Sequence, residues 1–113
     1  MKAKILSAII LVFVMCTAAF ADLPSVTMLL KKKSPECEKM LAVLKQINSQ
    51  YGIRIKTQHM YLEEHPELAD KYKVRHVPTL IFMDANGKER AREVGPRTLE
   101  QVLAVFENAG VKI

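Results

Sequence analysis

Two kinds of apolar spacing alternate from residue 26 onward, and that alternation limits the fold more than any other feature of the chain. Val26 to Leu30 (Val-Thr-Met-Leu-Leu) is a short run apolar enough to be buried on both faces of a sheet. From Pro35 to about Gln50 the apolar residues Cys37, Met40, Leu41, Leu44 and Ile47 fall on a helical stripe, with Glu38, Lys39, Lys45, Gln46 and Gln50 on the other side. Ser34 and Pro35 suit the start of that helix, serine as a cap and proline at the first position, and Gly52 suits its stop. Ile53 to about Tyr61 alternates like a strand. Pro66 opens a short helix through Tyr72, and Thr79 to Met83 is the strongest strand of the sequence. Asp84-Ala85-Asn86-Gly87 predicts a tight hairpin to a charged edge strand, Lys88 to Val94, which Gly95-Pro96 ends. A last helix is expected from about Thr98 to Asn108. The order βαβαββα predicts an α/β domain with a mixed four-stranded sheet, parallel through crossovers and antiparallel at the final hairpin.

The first 21 residues have a different character. Lys2 and Lys4 precede an apolar run from Ile5 to Phe20, and Ala19-Phe20-Ala21 has the small-x-small pattern of a signal peptidase site. The expectation is a cleavable signal peptide, 1–21, cut after Ala21, with residues 22–113 forming one domain that is periplasmic or secreted and not stably inserted in a membrane. The run is short for a span, which takes roughly 20 apolar residues, so a retained anchor is the rival reading. Lipidation at Cys16 is disfavoured because Met15 stands where a small residue is needed.

Charge excludes some functions. The chain has 17 Lys and Arg against 12 Asp and Glu, and two of the former lie in the leader. The remaining excess is mild and lacks the concentrated stripe with stacking aromatics that nucleic acid demands. Only Lys31-Lys32-Lys33 is concentrated. His59, His65 and His76 lack metal-ligand spacing, so no metal is expected, and nothing in the sequence calls for a cofactor. Once Cys16 leaves with the leader, Cys37 is the one thiol. It is buried, paired with another molecule, or reactive.

Three segments carry a resemblance to the thioredoxin-like family, over nearly all of Val26 to Ala109. They are Ser34-Pro35-Glu36-Cys37-Glu38-Lys39-Met40 at a strand-to-helix turn, Tyr72-Lys73-Val74-Arg75-His76-Val77-Pro78-Thr79 before a strand, and the Asp84–Gly87 turn with Gly95 closing the edge strand. The resemblance implies a minimal, three-layer thioredoxin fold, because only Asp22 to Ser25 precede the first strand. It also implies that Ser34 occupies the place of the attacking cysteine of the family's Cys-x-x-Cys loop and Cys37 that of the second, usually less exposed, cysteine. Serine is not a disulfide nucleophile at neutral pH, so the two-thiol cycle cannot run within one molecule. The resemblance further implies that Val77-Pro78 is a cis peptide facing the Ser34–Cys37 loop, with Pro35 beside it, and that the residue before the proline pairs with extended substrate.

Cys37 at the first turn of a helix lies where backbone amides and the dipole favour a thiolate, and Lys33 or His76 is a candidate modulator. On the same stripe as Met40, Leu41 and Leu44 it is equally placed to be a quiet core residue. The basic loop could also hold an anion or the carboxylates of glutathione, although the glycine pair of glutaredoxin-like chains is absent. Three functions follow. The first is a redox-linked protein acting through Cys37 alone by mixed disulfide, with a protein or peptide thiol partner or with a second copy in a homodimer. The second is a redox-inactive module that binds peptide in the Val77-Pro78 groove. The third is a reductase completed by another protein's thiol. If the chain is an enzyme, it is a monothiol thiol–disulfide oxidoreductase.

Overall fold

The computed structural model describes residues 23–113, so the leader and its cleavage site lie outside the described residues. Four strands form one sheet in the order β2-β1-β3-β4: β1 is Ser25–Leu30, β2 Lys56–Tyr61, β3 Thr79–Met83 and β4 Glu89–Val94. The helices are α1, Pro35–Tyr51, α2, Glu67–Lys71, and α3, Leu99–Asn108. Alternation along β1 divides the core. Val26, Met28 and Leu30 pack with Cys37, Met40, Leu44 and Ile47 of α1 and with Val102 and Phe106 of α3. Leu29 points the other way, and with Ile81 it meets Leu62, Leu68 and Val74 around α2. The result is three layers, α1 and α3 on one face and the short α2 on the other. Phe82 and Phe106 meet edge to face at 5.1 Å in the larger core.

Pairing departs from the expected parallel arrangement in one place. β1 and β2 are parallel, but β1 and β3 are antiparallel, as are β3 and β4. The reason is the length of α2. Five helical residues rise about 7.5 Å, whereas a strand of six spans about 20 Å, so α2 cannot carry the chain back along the sheet. The connection stays at the end where β1 and β2 finish, and β3 starts there and runs home, Thr79 beside Leu29 and Met83 beside Ser25.

Other differences are local. β2 begins at Lys56 rather than Ile53, because residues 52–54 make the turn out of α1, in which the amides of Arg54 and Ile55 both donate to the Tyr51 carbonyl. Ile53 is consequently 85% exposed while Ile55 is fully buried. Gly52 ends α1 without a left-handed conformation. Its φ is −59°, and a Cβ there would lie 2.4 Å from the Asn48 carbonyl oxygen, so glycine serves close approach instead. The β3–β4 connection is wider than a two-residue turn. Asp84 to Lys88 bridge Met83 and Glu89, the Asp84 carboxylate accepts from the amides of Asn86 and Lys88, and Gly87 takes φ +81°.

Candidate functional site

The site is built where β1 ends and α1 begins. Ser34 is extended (φ −109°, ψ 117°), and its Oγ accepts from the Cys37 amide at 3.4 Å as the cap of α1, with Pro35 at the first helical position. Ser34 is half-buried and Pro35 exposed. One turn into the helix, the apolar stripe rotates Cys37 into the core beside Met40, with 0% of its surface accessible. It is a free cysteine. The half-buried serine therefore caps the helix, and the only thiol of the described residues faces inward.

The other feature singled out in the sequence is the turn before β3. The Val77–Pro78 peptide is cis, Pro78 is buried and Val77 half-buried. Thr79 Oγ1 donates to the His76 carbonyl at 2.6 Å, and the Gly95 amide donates to the Pro78 carbonyl at 2.8 Å, tying the turn to the end of β4. Neither the amide nor the carbonyl of Val77 takes a backbone partner among the described residues. His76 is exposed and does not line the space beside Cys37.

Two concavities adjoin this end of the sheet and share Lys31. A cavity of about 210 Å³ beside Cys37 is lined by Leu30, Lys31 to Lys33, Glu38, Leu41 and Tyr61. A groove of about 320 Å³ is walled by Leu62, Pro66, Ala69, Val74 and Val77, with Lys31, Glu63 and Arg75. Sequence reading named Val77 and the basic loop with Lys31 but not Tyr61, Leu62, Pro66, Ala69 or Val74 as lining, because separate strands, helices and loops assemble these spaces. The signal that could have found them is position: Lys31, Leu62 and Glu63 directly follow the carboxyl ends of two neighbouring strands. Lys32 is occupied. Its amide donates to Glu63 Oε2 at 2.9 Å, its ammonium lies 3.4 Å from Glu64, and it sits over the Tyr61 ring. Lys33 takes φ +58° and is exposed. Among the described residues, no group of three His, Cys, Asp or Glu side chains is disposed to hold a metal ion.

The family model described as a thioredoxin-like domain matches residues 15–110. The chain belongs to the thioredoxin-like domain family. Within it, a thioredoxin of Acidithiobacillus ferridurans is 28% identical over 72 residues, which are 64% of this chain and 66%, just short of two thirds, of that relative. A thioredoxin of Rickettsia bellii (strain RML369-C) is 25% identical over 75 residues, 66% of this chain and 70% of the relative. A solved thioredoxin-2, described as a component of the malaria parasite's protein secretion machinery, superposes with a TM-score of 0.72 at 22% identity. It covers 77% of this chain and 84% of its own. At that identity the likeness is one of fold. This thioredoxin-like chain has the four-stranded mixed sheet, with Ser34 as the cap of α1 and Cys37 in its first turn.

Proposed function

We propose that this thioredoxin-like protein binds extended segments of protein partners at the Val77–Pro78 turn and does not itself exchange disulfides. The observation that carries the reading is the complete burial of Cys37 behind a capping serine. A thiol exchanges only when its thiolate reaches a disulfide sulfur, and no atom of Cys37 is at the surface. The same burial speaks against a homodimer bridged through Cys37. The unpartnered amide and carbonyl of Val77 are what an added strand requires: main-chain bonds supply affinity and side-chain pockets supply selectivity. Export belongs to the same proposal. Lys2, Lys4, the apolar run and Ala19-Phe20-Ala21 support a leader removed after Ala21, with residues 22–113 working in the periplasm or outside the cell.

One observation favours a second reading. The cavity of about 210 Å³ touches Cys37 and is lined by three lysines and one acid, Glu38, so opening it would expose a thiol in surroundings of net positive charge and allow a mixed disulfide.

The test pairs binding with chemistry. The protein is expected to bind extended peptides with the same affinity, within about twofold, when Cys37 is replaced by alanine. It is expected to reduce no disulfide in the presence of a dithiol donor until Ser34→Cys restores the attacking thiol. Disulfide reduction by the wild-type protein, abolished in Cys37→Ala, would overturn the proposal in favour of the second reading.

A further inference from the structure

The end of the sheet that carries Val77 is cationic in a particular way. Lys31 and Arg75 line the groove and are exposed, and neither forms an ion pair or a side-chain hydrogen bond among the described residues. The one acid on the lining, Glu63, is held by the Lys32 amide, and its neighbour Glu64 by the Lys32 ammonium. The acids of α2, Glu67 and Asp70, do not line the groove, and Glu67 lies 3.6 Å from His65. Glu63 keeps its negative charge beside the Lys32 amide, so the lining carries two cations, Lys31 and Arg75, against one carboxylate.

Backbone conformation adds an independent mark. Among the described residues, Lys33 and Lys73 are the two positions other than glycine with positive φ, +58° and +54°. Lys73 follows α2 at the left-handed position of a helix stop, with the Val74 amide donating to the Ala69 carbonyl and the Lys73 amide to that of Asp70. Glycine is the usual residue there, and a side chain costs about 1 kcal/mol or more. The chain carries lysine in both loops that flank the site. The apolar part of the groove lining is Leu62, Pro66, Ala69, Val74 and Val77, and its volume of about 320 Å³ admits a large side chain.

We infer that the groove takes an extended acidic segment of a protein partner, one apolar side chain seated between Leu62 and Val74 and flanking carboxylates on Lys31 and Arg75. The inference rests on the peptide-binding reading above and names its ligand class. The unpartnered backbone of Val77 gives the rung, the pocket beside it takes an alternate side chain, and the free cations select charge. Because those cations are exposed, their contribution is screened by salt.

Three extended peptides test this by titration against the full chain, each with a central leucine flanked by aspartate, by serine or by lysine. The aspartate peptide is expected to bind at least about tenfold more tightly than the lysine peptide, with serine between. The gap should narrow as salt rises. Lys31→Glu with Arg75→Glu is expected to reverse the order, and replacing the leucine of the acidic peptide with serine to remove most of its binding. Equal binding of all three peptides, or preference for the lysine peptide, overturns the acidic ligand class while peptide binding stands. Undiminished binding of the serine-substituted acidic peptide overturns the apolar anchor. Binding of none overturns the peptide-binding reading and this inference together.

Discussion

At the scale of single residues, two polar side chains are used structurally where chemistry could have been expected. Ser34 spends its oxygen on the Cys37 amide as a helix cap. Asp84 does the corresponding work at the other end of the sheet. The backbone hydrogen bond from Lys88 above all, with that from Asn86 and the Arg90 guanidinium, holds its carboxyl below the usual carboxylate range against the opposing effect of desolvation. A carboxyl more acidic in the folded than in the unfolded chain stabilises the fold above its unfolded pKa, and that contribution is lost as pH falls through the folded value. Asp84→Asn is therefore expected to be less stable than wild type at neutral pH, with the difference closing toward strongly acid pH. Denaturant melts across that range check it, and a gap that stays constant with pH would show that the charge of Asp84 contributes nothing. Cys37 completes this scale. Its place on the stripe with Met40 and Leu44 was readable, and so was Ser34-Pro35 as a helix opening. What the sequence left open was which of the two roles Cys37 plays. The structure gives its side chain to the core.

At the scale of elements, helix α1 positions the site from both of its ends. The Ser34 cap fixes where the first turn begins, and Gly52 lets the chain leave close against Asn48. Alanine at a position with ordinary φ would gain about 0.4–1 kcal/mol by restricting the unfolded chain. Here its Cβ would meet a backbone oxygen at 2.4 Å, and overpacking of that kind costs about 1–3 kcal/mol. The clash wins, so Gly52→Ala is expected to lower the midpoint of thermal unfolding, and an unchanged or higher midpoint would contradict the close approach. Periodicity made most elements legible: the twofold burial of β1, the stripe of α1, β3 after Val77-Pro78, and α3 after Thr98, whose capping box with Gln101 is present. It could not supply what depends on neighbours. Ile53 continues the alternation of Ile55 and Thr57, yet the turn leaving α1 carries it into solvent. The direction of β3 follows from the shortness of α2, a length that an apolar pattern of two residues, Leu68 and Tyr72, does not fix. The groove was invisible for the same reason, since Lys31, Leu62, Val74 and Val77 meet only after the sheet is assembled.

At the scale of the whole molecule, the chain has the fold of the thioredoxin-like family, with Cys37 as the one cysteine among the described residues. The turn before β3 is tied to β3 through Thr79 and to β4 through Gly95, while α1, packed by four buried residues, withdraws Cys37 from the surface. A surface that presents an unpaired backbone segment beside an apolar groove with free cations is suited to holding a segment of another protein. A thiol sealed in the larger core is not suited to attack. The measurement that tests this most directly is the rate at which Cys37 is alkylated in the folded protein compared with the denatured one. The account predicts labelling only after denaturation, with the folded protein protected by at least about a thousandfold, in line with opening that requires much of the fold to be lost. Rapid, stoichiometric labelling of the native protein at neutral pH would contradict it and make Cys37 the working residue.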